Sequence, residues 1–231
     1  MYRYLPVFLL AVCTGCVSTS NLFQDGHTAG KGEWNAAFSA SYNFVPEYDT
    51  DSVSRSVTLK PYKLPAPWLQ FQGQYGLAER WDVGGSLGFG LLSFGLQGFS
   101  KFALTPNTSK LGVSLFGLMG WSGLDDKVSS DGERANYYNF LLGIPMSYQL
   151  AEKHAMVLQP MLQWDNYNYH IPDSGGAYRG DQHTKVYKLG VGYIHTNRKL
   201  NRVHFNMALN YYEVKKQVMP TFGISIHPAK D

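Results

Sequence analysis

Leu69-Gln70-Phe71-Gln72-Gly73-Gln74-Tyr75-Gly76-Leu77-Ala78-Glu79-Arg80-Trp81-Asp82-Val83-Gly84-Gly85-Ser86-Leu87-Gly88-Phe89 decides the fold. Before the connector Ala78 to Arg80, Leu69, Phe71, Gly73, Tyr75 and Leu77 alternate with Gln70, Gln72 and Gln74. After it, Val83, Gly85, Leu87 and Phe89 alternate with Asp82, Gly84, Ser86 and Gly88. Period two marks strands with two unlike faces, and the short connector makes the pair a hairpin. The second face is built from glutamine, glycine and serine. Such small neutral side chains cover a water-exposed exterior poorly and fill a narrow lumen well, so the aromatic and aliphatic face is turned toward lipid.

The same alternation extends in both directions. Upstream, Trp34, Ala36, Phe38, Ala40, Tyr42 and Phe44 oppose Asn35, Ala37, Ser39, Ser41 and Asn43. Downstream, apolar sets begin at Phe94, Leu111, Tyr138, Met156, Tyr187, Val203 and Val218, which makes ten stretches of roughly 10 to 13 residues. Soluble strands average about 5 to 6 residues, whereas a tilted membrane-crossing strand needs about 9 to 11. An unpaired backbone N–H or C=O in hydrocarbon costs several kcal/mol, so the sheet must close. The expected fold is all-β: a closed, antiparallel, up-and-down transmembrane β-barrel of about ten strands, with eight to twelve compatible with the pattern.

Aromatic residues gather near the strand ends, with Trp34, Tyr75, Trp81, Tyr148 and Tyr193 at one rim and Trp121, Tyr138, Trp164, Tyr187 and Tyr211 at the other. Interfacial girdles have this form. Connector lengths sort by parity. Those after even strands are short (Ala78 to Arg80, Thr105 to Ser109, Ala151 to Lys153, His195 to Asn201), and the three long ones, Pro46 to Ala66, Ser122 to Asn136 and Asn166 to Thr184, all follow odd strands. Pro145, Pro160 and Pro220 interrupt proposed strands, each removing a ladder donor, so bulges or local irregularity are expected there.

The 231 residues are 16% charged and 15% aromatic, with a formal charge of +3 and no basic block, which points away from nucleic-acid binding. Residues 1 to 15 carry Arg3, an apolar core from Leu5 to Val12 and small residues before Cys16, the pattern of an export signal. Cys13-Thr14-Gly15-Cys16 resembles the lipobox of bacterial lipoproteins, which implies cleavage before Cys16 and acylation of that residue. The chain's only other cysteine, Cys13, would leave with the signal, so no disulfide or cysteine-based zinc site could form. Residues 16 to 32 are then a lipid-anchored tether, and 33 to 231 the barrel.

With these parts in place, the chain resembles small outer-membrane β-barrel proteins of Gram-negative bacteria in a lipid-anchored version. The residues that carry the likeness are the lipobox-like start, His27-Thr28-Ala29-Gly30-Lys31-Gly32 before the first strand, and the hairpin Gln74 to Gly84. The resemblance implies the cell outer membrane as the location. It implies outer-membrane lipids, lipopolysaccharide and the barrel-assembly machinery as partners, with room for an extracellular or envelope protein partner.

Some barrels of this kind are enzymes. Ten-stranded surface proteases use paired acids and an Asp-His pair at the extracellular rim; Asp125 and Asp126, and His170 and His183 near Asp173 and Asp181, are the nearest counterparts here. Adjacent acids on an extended chain point in opposite directions, and solvated loop polars account for the rest. Barrel lipid A deacylases pair His with Ser, but His195 is followed by Thr196 and Asn197. His204 faces the lumen beside Asn206, as a satisfied member of a hydrogen-bond network. Nine of the seventeen acidic residues lie in the three long loops, where they could bridge to lipopolysaccharide phosphates through divalent cations or simply meet water.

No catalytic residue, metal site or cofactor is assigned. The expected function is that of a non-enzymatic outer-membrane lipoprotein with a structural or binding role exercised through long extracellular loops. A narrow channel or transporter for small solutes is the first alternative. A lipid A-modifying or surface protease-like enzyme is the second. The channel alternative is limited by a lumen that must hold Gln70, Gln72, Gln74, Gln97, Phe99, Lys101, Phe116, Gln149, Gln159, Gln163, Lys188, His204 and Tyr212.

Overall fold

In a computed structural model of the chain, residues 24–44, 47–51, 56–60, 65–90, 93–124, 134–173, 176–197, 202–213 and 216–228 are described. Their strands are β1 (Trp34–Phe44), β2 (Glu47–Asp51), β3 (Ser56–Lys60), β4 (Pro65–Ala78), β5 (Trp81–Phe89), β6 (Ser93–Ala103), β7 (Leu111–Leu124), β8 (Arg134–Gly143), β9 (Met146–Ala151), β10 (His154–Asp173), β11 (Gly176–Thr196), β12 (Arg202–Tyr212) and β13 (Gln217–His227). The wall runs β1, β4, β5, β6, β7, β8, β10, β11, β12, β13 and returns to β1, with β9 continuing the line of β8. Every neighbouring pair is antiparallel, and the seam closes through Phe38 opposite Ile226 and Tyr42 opposite Phe222. The protein is a closed, up-and-down, ten-stranded transmembrane β-barrel.

Side-chain direction follows the alternation. On the outside, Phe71, Leu87, Leu96, Leu115, Leu142, Leu189, Met207 and Phe222 are exposed, while Gln70, Ser86, Lys101, Ser114, Gln163 and Thr221 are buried in the lumen. A soluble barrel would bury the first set and expose the second. Trp34 stacks near Tyr75 with ring centroids 4.9 Å apart at one rim, and Tyr187 lies 6.2 Å from Tyr211 at the other. Both pairs sit directly opposite each other in register. Cross-strand aromatic pairs of this kind stabilise a sheet and anchor it at the two interfaces.

Of the bulges or local irregularities expected at the three prolines, the described residues show one irregularity and no bulge. Only at Ile144–Pro145 is the strand interrupted, between β8 and β9, and the register is the same on both sides: Gly143 pairs with Met161 and Met146 with Leu158. Ile144 lies level with Pro160, so the two missing donors, those of Pro145 and Pro160, are one register step apart; the Ile144 N–H still reaches the Pro160 carbonyl at 3.0 Å. Pro160 and Pro220 lie within unbroken strands, opposite Leu189 and Leu209. The register shifts in the described residues lie instead at Gly76/Ala78 and His154/Ala155, beside two tight turns.

Two of the long connectors are also more regular than expected. Pro46 to Ala66 contains the hairpin of β2 and β3. The region Asn166 to Thr184, expected to be loop, is a continuation of β10 and β11, paired from Asn166 opposite His183 to Asp173 opposite Gly176. Tyr167, Tyr169, Ile171 and Tyr178 supply the β propensity that the polar residues between them obscure. Residues 125–133 of the third connector, with Asp125 and Asp126, lie outside the described residues.

Leu142→Arg, on the lipid face, should cost about 2 to 4 kcal/mol near the bilayer midplane, whereas Asn168→Arg on the extended hairpin should be close to neutral. Urea unfolding in lipid vesicles, with heat-modifiability gels as a check on folding, measures both. Equal tolerance would contradict the orientation of the wall.

Candidate functional site

The lumen has an occupant that the sequence pattern did not reveal. Residues 24–30, before β1, pack into the barrel mouth at the short-turn end, with Gln24, Asp25 and Thr28 buried, and residues 31–33 are exposed at the rim. From Gln24, whose carbonyl accepts a hydrogen bond from the Gln159 amide, the segment passes Lys101 and Arg202 and reaches the rim at Thr28. It turns back through Gly30 and Gly32 into β1. Residues 24–32 of the expected tether are therefore part of the folded unit; Cys16 lies outside the described residues.

Polar contacts hold this plug. The Arg202 guanidinium donates to Asp25 Oδ2 at 2.5 Å, and Lys101 Nζ lies 3.6 Å from Asp25 Oδ1 and 3.8 Å from Asp82 Oδ2. Lys101 and Asp82 are almost fully buried, and an ion cluster so placed is tolerated only when its members face one another. The Ala29 N–H donates to Asp82 Oδ2 at 2.8 Å, the Gly26 N–H to Ser147 Oγ at 3.1 Å, and the Thr28 hydroxyl to the Glu79 carbonyl at 3.0 Å. His27 lies between the Ser109 carbonyl and Ser147 Oγ.

Burial pushes the Asp25 carboxyl up. The Arg202 guanidinium and then the Lys101 ammonium outweigh burial and hold the group below the usual carboxylate range.

Glycine makes the seat possible at two places. A Cβ on Gly26 would stand 2.1 Å from the Gly112 carbonyl oxygen, and one on Gly76 would stand 1.8 Å from that of Gly30. Any other residue would force the plug backbone off the wall. Gly30 and Gly32 also adopt φ of 91° and 77°, which turn the segment into β1.

Above the plug the lumen divides. On β6 to β8, Phe99, Phe116, Leu118 and Leu141 form an apolar cluster with Met161 packed against it. The remaining wall is mixed, with polar contacts beside a second apolar cluster of Val186, Tyr212 and Met219. Gln70 Nε2 donates to Ser86 Oγ at 2.7 Å and to Gln97 Oε1 at 3.1 Å, and the Tyr137 hydroxyl donates to Asp165 Oδ1 at 2.7 Å. Of the residues expected in the lumen, Gln70, Gln74, Phe99, Lys101, Phe116, Gln159, Gln163, Lys188, His204 and Tyr212 are buried there, while Gln149 is exposed at the mouth.

His204 departs from expectation. Its Nε2 has no hydrogen-bond partner among the described residues, and its ring stacks on His227 at 4.1 Å. The hydroxyl of Ser225, directly opposite His204, engages His227 instead.

Of the candidate catalytic groups, Asp125 and Asp126 lie outside the described residues, and the described histidines are found in three separate places. His183 is exposed and its Nδ1 meets Asn166 Oδ1 at 2.5 Å, while His170 lies four register positions further along the hairpin, opposite Arg179. His195 sits at the short-turn rim, its ring 5.0 Å from that of His154. Among the described residues, no three His, Cys, Asp or Glu side chains converge as a metal site.

No family model matches the sequence, and no curated protein matches it. Several solved outer-membrane barrels are similar in structure. The attachment invasion locus protein Ail of Yersinia pestis aligns at 10% identity and a TM-score of 0.35 over 86% of this chain and 98% of its own. The translocator domain of autotransporter NalP from Neisseria meningitidis aligns at 9% identity and 0.42, over 87% and 89%. The KdgM porin aligns at 6% identity and 0.33, over 84% and 99%.

A depressed Asp25 supports plug docking in full above its ordinary value of 3.8, and the contribution is lost only as pH falls through the lower folded value. A spin label at exposed Lys31 should therefore stay immobilised from neutral pH to about pH 4 and loosen below it. In Asp25→Asn the label should already be mobile at neutral pH. Loosening of the parent chain between pH 5 and 6 would contradict the assignment.

Proposed function

We propose that the chain is a non-enzymatic lipoprotein of the cell outer membrane, which presents its long hairpins on the cell surface to bind a partner or ligand. The observation that carries this reading is the β10–β11 hairpin. Its strands run 20 and 21 residues, about twice the 9 to 11 that a tilted crossing requires. At about 3.3 Å per residue, the surplus projects on the order of 20 Å beyond the hydrocarbon. Exposed segments of this kind, held by a rigid barrel, are where binding residues concentrate. The hairpin of β2 and β3 follows β1, the first strand of the wall, as the long hairpin follows β10, the seventh, and so belongs to the same end.

The short-turn end with its plug then faces the periplasm. There an acylated Cys16, eight residues before Gln24, would lie within reach of the inner leaflet. Outer-membrane lipids and lipopolysaccharide would meet the apolar band and its girdles, and insertion would depend on the barrel-assembly machinery.

Protease added to intact cells should cut between Asn168 and Asp181 and leave the barrel heat-modifiable. Protection of that segment until the outer membrane is permeabilised would reverse the orientation. Mass spectrometry should find acyl chains on the mature amino terminus of the parent chain and none on Cys16→Ala; an unacylated parent would remove the lipoprotein part of the reading alone.

A further inference from the structure

The polar side of the lumen carries buried groups that the protein leaves unsatisfied. Of eleven buried side-chain atoms without a hydrogen-bond partner among the described residues, six lie on β10, β11 or β12, among them Lys188 Nζ, Asp165 Oδ2, His204 Nε2, Asn206 Oδ1 and Asn210 Oδ1; the other five are spread over β4, β5, β7 and the plug. A lone buried polar atom costs free energy comparable to a lost hydrogen bond, and several along one wall cost more than a barrel tolerates unless water or polar solute reaches them. On the opposite side Phe99, Phe116, Leu118 and Leu141 pack together, and the unpartnered buried atoms of β7 are the hydroxyls of Ser114 and Ser122.

The lower end of this polar strip is where the plug sits. The Gln24 carbonyl accepts from Gln159, whose side-chain oxygen also accepts from Asn206 at 3.4 Å, and Asp25 pairs with Arg202. No large apolar side chain of residues 24–32 anchors the segment. Contacts made only of hydrogen bonds and ion pairs can be exchanged for water, and such elements occupy the low-stability end of a structure.

We propose that the β10–β12 side of the lumen is a hydrated path for small anions, closed at the short-turn end by Gln24 and Asp25 and opened when residues 24–32 withdraw. Withdrawal removes Asp25 and leaves Lys101, Lys188 and Arg202 facing two carboxylates, Asp82 and Asp165, so the open path carries net positive charge. Toward the long-loop end the path narrows against Val186, Tyr212 and Met219, which keeps its conductance small. This inference is independent of the surface-binding role, which needs only the hairpins.

Planar-bilayer recording in potassium chloride tests it. The full mature chain should be closed for most of the time. In Gly112→Val a Cβ would stand 2.5 Å from the His27 ring, and in Asp25→Asn the ion pair is lost. Open time should rise about tenfold or more in either variant, since each lost charge-assisted hydrogen bond shifts such an equilibrium by roughly that factor. Cross-linking cysteines placed at Thr28 and Asn107, whose side chains are 3.0 Å apart, should abolish the openings.

Across a salt gradient the reversal potential of the open variants should favour chloride, and Lys188→Glu added to them should shift it toward potassium. Heat-modifiability confirms that each variant is folded. Silent bilayers from folded Gly112→Val and Asp25→Asn, or openings whose selectivity ignores Lys188→Glu, would overturn the proposal.

Discussion

Hydrocarbon offers no water to a bare N–H or C=O, and the rest of the structure follows from meeting that constraint. Ten strands pair with two neighbours each, and the last, β13, closes on β1 through five registered positions from Phe38–Ile226 to Tyr42–Phe222. Once the wall is closed, the period-two alternation has only one workable orientation. Leucine, phenylalanine and methionine meet lipid, while glutamine, serine and asparagine meet one another inside. The wall even carries prolines one register step apart, because the Ile144–Pro145 break keeps its register on both neighbouring strands.

The interior is organised by charge as much as by size. Lys101 is buried on β6 and would be untenable alone; Asp82 on β5 and Asp25 from the amino-terminal segment supply its counter-charges. One ion cluster thus joins the wall to the plug, and Arg202, at the start of β12, holds the far side of the same carboxylate. The apolar cluster on β6 to β8 packs its half of the lumen by dispersion and burial. The β10–β12 side carries six of the eleven unpartnered buried polar atoms among the described residues, beside a second apolar cluster of Val186, Tyr212 and Met219.

How much of this was legible along the chain differs from one element to the next. The hairpin around Glu79-Arg80 could be read because its two faces differ in residue type at every step. The lumen positions of Phe99 and Phe116 followed from phase alone, although both are aromatic. The plug was not legible. Asp25, Gly26 and His27 have no periodicity, and their small polar character fits a tether as well as a segment inside a barrel. His27-Thr28-Ala29-Gly30-Lys31-Gly32 stands out as a small, polar, glycine-bearing string, but its use depends on Gly76 and Gly112, which lie 44 or more residues away. The outer hairpin was missed because tyrosines there alternate with asparagine, aspartate and glycine, a mixture that reads as loop until cross-strand pairing is in place.

The sequence by itself determined the all-β class, the inside-out orientation and which residues line the lumen, because these depend on alternation, and alternation is local. The closed barrel alone places the amino-terminal segment in the mouth, brings Asp25 to Lys101 and Arg202, and sets where buried polar atoms are left without partners. Those outcomes depend on which strands become neighbours when the sheet closes, and closure brings together residues as far apart as Asp25 and Arg202.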